Sequence, residues 1–158
     1  MKTYSLIKGF SLMELMVTIA IVAIVTTTAL PSFQSMFDTY HVRSQTNNFI
    51  SALKLARTEA MRRGENIKVC NSNSNQSDCG SSGDWQYGWV ARNSSVLKSW
   101  KKDDTSTMIN ADADSIEYTK YGRITASTNL NFEFTRNSCI RKVSVKRTGR
   151  AAADQSGC

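Results

Sequence analysis

The sequence predicts an α+β protein, with one long N-terminal helix followed by a small antiparallel β-rich domain. Three observations carry that expectation. Residues 10–30 form an almost unbroken apolar run whose only ionisable side chain is Glu14. Between residues 33 and 61 apolar side chains recur mostly at helical spacing, with charged residues filling much of the other face. After Gly64 the pattern changes to short alternating segments divided by Gly, Asn, Ser and Asp.

The apolar run comes first. At about 1.5 Å rise per residue it makes roughly 30 Å of helix, enough to cross a bilayer core. Lys2 and Lys8 precede it, so the positive-inside bias leaves the N-terminus in the cytoplasm and sends the rest outward. Glu14 is the anomaly, because a carboxylate placed centrally in a membrane helix costs about 2.5–3.5 kcal/mol. A cut between Gly9 and Phe10 would create a cationic α-amino group close to it in sequence. Within one helix the two groups pair poorly. Between parallel helices offset by about one turn, the amine of one chain meets Glu14 of the next, which neutralises both charges and sets an assembly register.

Residues 31–63 read as the amphipathic second half of the same helix. Pro31 removes a backbone hydrogen bond and clashes with the preceding turn, so a kink or local melting is expected there. Gly64, after the basic pair Arg62-Arg63, is a helix stop. Beyond it the alternation predicts six strands, at 66–70, 85–92, 96–100, 115–121, 130–135 and 139–146. Trp85, Tyr87 and Trp89 are expected on one face of the second. In the last, Arg141, Val143 and Val145 share one face and Lys142, Ser144 and Lys146 the other. Gly122 and Gly149 each follow a strand and precede an arginine, which signals turns. The domains are thus a stretch at 1–9 that a cut after Gly9 would make a leader, a membrane helix at 10–30, its continuation at 31–63 and an exported β-rich domain at 64–158.

Composition narrows the function. Four cysteines, at 70, 79, 139 and 158, lie on the exported side, an even number in an oxidising compartment. Of the three pairings they allow, sequence proximity favours Cys70–Cys79 with Cys139–Cys158. Their spacings are not those of a zinc knuckle, and His41 is the only histidine, so neither metal nor cofactor is expected. With no HExxH, phosphate loop or Ser-His-Asp constellation, an enzyme is not expected either. The formal charge is +7 and is unevenly placed. Residues 31–63 carry net +3, residues 64–116 net −2, and residues 117–158 net +5 from eight basic and three acidic side chains. A basic, flexible C-terminal segment closed by a disulfide suits a polyanion, DNA above all.

The stretch Lys8-Gly9-Phe10-Ser11-Leu12-Met13-Glu14-Leu15 resembles the class III signal of type IV pilins and type II secretion pseudopilins. That resemblance implies cleavage by prepilin peptidase between Gly9 and Phe10, N-methylation of Phe10, and a docking role for Glu14. Pro31 matches the helix proline of the family, and Met13 stands where isoleucine is commoner. Ala56-Arg57-Thr58-Glu59-Ala60, Arg63-Gly64, Val69-Cys70, Trp85-Gln86-Tyr87-Gly88-Trp89, Gly122-Arg123 and Gly149-Arg150 resemble the GspH/FimT branch, over nearly the whole chain.

What this branch implies is a minor pilin of a type IV pilus, at the filament tip or initiation complex. Two other roles stay open, a DNA-binding pilin for natural transformation and the minor pseudopilin H of type II secretion. The implied partners are other major and minor pilins or pseudopilins, prepilin peptidase, the inner-membrane assembly platform and, for the transformation role, DNA. The implied location is the bacterial inner membrane and then the filament. Some FimT members bind DNA through a C-terminal Gly-Arg-x-Arg motif. Here Gly149-Arg150-Ala151-Ala152 keeps its first half and lacks the second arginine. The DNA-binding candidates are therefore Arg141, Lys142, Lys146, Arg147 and Arg150, with Lys142 and Lys146 equally readable as the solvated side of a strand.

Overall fold

A single helix, α1 (Leu12–Arg63), opens the chain. The computed structural model describes residues 10–81, 83, 85–102, 106–154 and 157–158, without the side chains of 28–32. The leader at 1–9, with Lys2, Lys8 and Gly9, therefore lies outside the described residues. The start of α1 is set by Ser11, whose Oγ accepts the Glu14 backbone N–H at 3.2 Å while its carbonyl accepts the Leu15 N–H at 3.2 Å. This is N-cap geometry, with Glu14 at the third helical position. At the other end Gly64 takes a φ of 72° and donates to the Ala60 carbonyl at 3.0 Å, the left-handed stop that a glycine supplies without steric cost.

The chain divides after Phe37 into two compact units, Met1–Phe37 and Asp38–Cys158. In the first, the apolar helix is solvent-facing on every side. Leu12, Met16, Ile19, Val22 and Ile24 are all more than 60 % exposed. Among the described residues no helix is long and apolar enough to cross a membrane. Side-chain description of the run stops at Thr27, so the span expected over 10–30 continues past it. Backbone assignment is helical through Pro31.

In the second unit the C-terminal part of α1 joins eight antiparallel strands: β1 (Ile67–Asn71), β2 (Gly88–Arg92), β3 (Val96–Lys101), β4 (Met108–Ala111), β5 (Ser115–Tyr118), β6 (Leu130–Arg136), β7 (Cys139–Val145) and β8 (Ala151–Ala153). They form two four-stranded sheets, ordered β3-β2-β1-β5 and β4-β6-β7-β8. Val42, Phe49, Leu53 and Ala56 from α1 enter one core with both sheets. Phe49 is its hub. Its ring lies 5.2 Å from Trp89 of the first sheet and 4.9 Å from Phe132 of the second, close enough for edge and tilted aromatic contacts. The architecture is α+β, a long N-terminal helix packed on antiparallel sheets.

Four expectations need correction. Among the described residues there are eight strands rather than about six, because β4 and β8 carried too little alternation to be seen. The second strand starts at Gly88, since residues 86–87 form a turn instead. Trp85 and Trp89 are buried but Tyr87 is 42 % exposed, so the three do not share a face. Finally, the C-terminal segment is no flexible tail. It is the β8 edge of a sheet, paired to β7 from Ala151↔Val145 to Ala153↔Val143 and continued by Ile140 N–H donating to the Gly157 carbonyl at 3.1 Å.

One polar contact fixes the second sheet to the helix. Asp38, 7 % exposed, accepts Asn137 Nδ2 at 2.7 Å and Arg136 Nε at 2.6 Å. These hydrogen bonds, first from Asn137 and then from Arg136, hold its carboxyl below the usual 3.8. Asn137 tolerates a φ of 49° at the β6–β7 turn, as asparagine does more readily than most side chains.

Candidate functional site

Two features stand apart from ordinary core and turn structure. The first is the start of α1. Phe10 and Ser11 are exposed, and Glu14 sits in the first helical turn, where a carboxylate favours the positive end of the helix dipole. The sequence Ser11-Leu12-Met13-Glu14 has the spacing of a capping box, a local reason for Glu14 that the apolar setting obscured.

The second is built by the two Gly-Arg turns. Gly122 takes a φ of 76° and Gly149 one of 82°, both left-handed. A Cβ on Gly149 would stand 2.0 Å from the Gly122 carbonyl oxygen and 3.2 Å from Tyr118 Cε1, so only glycine lets these turns interlock. Ile124 N–H donates to the Arg147 carbonyl at 3.3 Å, and Arg147 N–H to Asn129 Oδ1 at 3.1 Å, tying the two turns side by side. Lys120, Arg123, Lys146, Arg147 and Arg150 all project from them and are exposed. Tyr121, 75 % exposed, stands beside them with Lys120 Nζ 5.3 Å from its ring centroid, within cation–π range.

The helix supports this platform from below. A Cβ on Gly122 would meet Met61 Sδ at 2.7 Å and Arg57 Nε at 3.2 Å. Arg57 Nε and the Tyr118 hydroxyl are buried with no hydrogen-bond partner among the described residues. Burial pushes the Tyr118 phenol up to about 12, with the nearby Arg57 charge opposing. Glu59, two residues on from Arg57 and so on another face of the helix, accepts Arg62 Nη2 at 2.7 Å and Arg63 Nε at 2.6 Å, and those hydrogen bonds lower its carboxyl to about 2.

Of the sequence candidates, Lys146, Arg147 and Arg150 lie on the second of the two Gly-Arg turns, with Lys120 and Arg123 on the first; the sequence pattern marked Arg123 only as part of a turn motif and Lys120 only as charge. The repeated Gly-Arg pair was the signal for them. Arg141 and Lys142 are not part of the cluster. Arg141 Nε donates to the Asp154 carbonyl at 3.3 Å, and Lys142 Nζ is 3.1 Å from Glu133 Oε2. Cys70 is bonded to Cys79 and Cys139 to Cys158, the first under the 72–79 loop and the second closing the C-terminus onto β7. Among the described residues no group of three or more His, Cys, Asp or Glu could hold a metal ion.

Comparison with known proteins points the same way. The family described as type II transport protein GspH matches residues 45–149, and the prokaryotic N-terminal methylation motif matches residues 5–30. No curated protein matches the chain. Two crystal structures of the type IV minor pilin FimU from Pseudomonas aeruginosa strain PAO1 share its fold. The P65 form is 17 % identical with a TM-score of 0.59, covering 72 % of this chain and 93 % of FimU. The P21 form is 16 % identical with a TM-score of 0.60, covering 77 % and 98 %.

Proposed function

Because this chain belongs to the family described as type II transport protein GspH, and so to the type IV minor pilins and pseudopilins rather than to any enzyme class, we propose that it is a minor pilin of a type IV pilus, placed at the filament tip or initiation complex. The observation that carries this reading is the first unit. A helix with apolar side chains exposed all round cannot rest in water, and lipid or neighbouring helices must cover it. The match of residues 5–30 to the prokaryotic N-terminal methylation motif supports processing at its start.

In this reading prepilin peptidase cuts between Gly9 and Phe10 and methylates Phe10. The subunit waits in the inner membrane, N-terminus cytoplasmic and β-rich domain periplasmic. The assembly platform then inserts it among other pilins. Glu14, whose backbone N–H is capped by Ser11, pairs through its carboxylate with the Phe10 amine of a neighbour. Pro31 supplies a weak point where the helix bends on packing into the filament. The test is Glu14→Ala, which should leave membrane insertion intact and abolish recovery of the subunit in sheared filaments. Normal recovery would refute the pairing.

A second reading is favoured by the interlocked turns. Five exposed cations and one exposed tyrosine on adjoining loops match a nucleic-acid surface, with phosphate contacts from the cations and base stacking on Tyr121. Under it the subunit takes up DNA during transformation. The rival machine is type II secretion, in which the same chain serves as pseudopilin H. Deletion separates them, because loss of pili with secretion intact supports the first assignment and the reverse supports the second.

A further inference from the structure

We propose that the outer edge of β8 is a self-pairing site, at which two copies of this chain join antiparallel through Ala151–Ala153, Arg150 of each facing Asp154 of the other. The hydrogen-bond pattern shows which groups are available. Lys146 N–H donates to the Arg150 carbonyl at 2.9 Å and Asp154 N–H to the Lys142 carbonyl at 2.8 Å. Residues 150, 152 and 154 therefore turn their backbone groups toward β7, and Ala151 and Ala153 turn theirs outward. β8 ends its sheet, and among the described residues no backbone group pairs with that outer edge.

Sheet edges are normally blunted by charge, proline, a bulge or a covering segment. Among the described residues β3 and β5, the edge strands of the other sheet, show such devices. β3 carries exposed Lys98 and Lys101, whose like charges repel a second copy. β5 is covered by the Tyr118↔Ile124 bridge and by Thr125 N–H donating to the Glu117 carbonyl at 3.0 Å. β8 has neither a charge nor a proline within it.

Its ends are self-complementary instead. Antiparallel pairing centred on Ala152 sets 151 against 153 twice, which engages all four outward backbone groups. It sets 152 against 152 and 150 against 154 as non-hydrogen-bonded pairs, whose side chains stand closest. Arg150, Ala152 and Asp154 share the exposed face, while Ala151 and Ala153 point into the core. Two Arg–Asp pairs then flank an alanine contact small enough to admit close approach. Such a contact is isologous and closes at two copies, unlike the head-to-tail contacts of a filament. It describes paired subunits before assembly, and being far smaller than the roughly 1,000 Å² of a stable interface it is weak and reversible.

Disulfide trapping in the full-length chain, in membranes, tests it. Facing Cα atoms of a non-hydrogen-bonded antiparallel pair lie about 4.5 Å apart, within bridging range. Ala152→Cys should give a species of twice the chain mass on mild oxidation, at least tenfold more than the exposed turn control Thr148→Cys. Adding Arg150→Asp should abolish it, and Arg150→Asp with Asp154→Arg should restore it. Equal trapping at both cysteines, indifference to the charge exchange, or an adduct with a chain of different mass would each overturn the proposal. A readout without new cysteines is sedimentation of the detergent-solubilised chain. A concentration-dependent dimer should be lost with Arg150→Asp and regained in the exchanged variant; a monomer at all concentrations would contradict it.

Discussion

Gly149 rests against the carbonyl of Gly122 so closely that a single added Cβ would stand 2.0 Å from its oxygen. This contact turns two loops into one basic surface and sets the Gly149→Ala prediction. The left-handed backbone costs about 1–2 kcal/mol for a side-chain residue, and overpacking adds about 1–3 kcal/mol. Gly64→Ala meets nothing within 4 Å and should lose only the backbone term. Chemical unfolding of the two variants should therefore separate them, with Gly149→Ala the less stable. Equal losses would mean the turns do not interlock.

Arg147 and Arg150 are exposed cations of the second Gly-Arg turn on that surface. If it binds DNA, about four to six phosphate contacts give a log–log salt slope of roughly −3 to −5. Replacing both by alanine should weaken binding and flatten the slope by about two. Adding Arg123→Ala should flatten it further, because the neighbouring turn contributes to the same surface. Unchanged DNA retention in the triple variant would dismiss the site.

Asp38 links α1 to the β6–β7 turn through Arg136 and Asn137. Its carboxyl titrates below its ordinary 3.8 in the folded chain, so its contribution is complete above that value and is lost as pH falls through the folded pKa. Wild-type stability should drop more steeply below about pH 4 than that of Asp38→Asn, which lacks the titrating group. Parallel acid profiles would exclude this linkage.

Tyr118 acts at the other extreme. Its phenol, raised to about 12 by burial, should give a late step in an absorbance titration that Tyr118→Phe removes. The stability it supports is present below the ordinary value of 10 and declines as pH climbs toward 12. Tyr118→Phe should remove that alkaline decline. It should also be nearly neutral near pH 7, because the hydroxyl has no hydrogen-bond partner among the described residues to lose.

Much of this was legible in the chain because the signals were local. Gly64 after Arg62-Arg63 stops α1, and the alternation of Val143 and Val145 with Lys142 sets the faces of β7. What escaped depends on partners distant in sequence. Ala151–Ala153 is a strand only because β7 offers its edge, since alanine has little preference for strands. Tyr87 alternates with two tryptophans, yet the turn before Gly88 rotates it outward. The share of Lys120 and Arg123 in the basic surface escaped for the same reason. Arg123 and Arg147 look unrelated until Ile124 bonds to the Arg147 carbonyl. Glu14 was read as an anomaly in lipid, and its backbone N–H is also the group that the Ser11 side chain caps at the start of α1.

The central claim is that this chain is processed as a pilin, and the mass of its N-terminal peptide after extraction from membranes tests it most directly. The account predicts a mature chain beginning at Phe10, one methyl group heavier than the unmodified residue, and an uncut chain in Gly9→Val. A wild-type chain that keeps residues 1–9, or one that begins beyond Pro31 after removal of the whole apolar run, would contradict it.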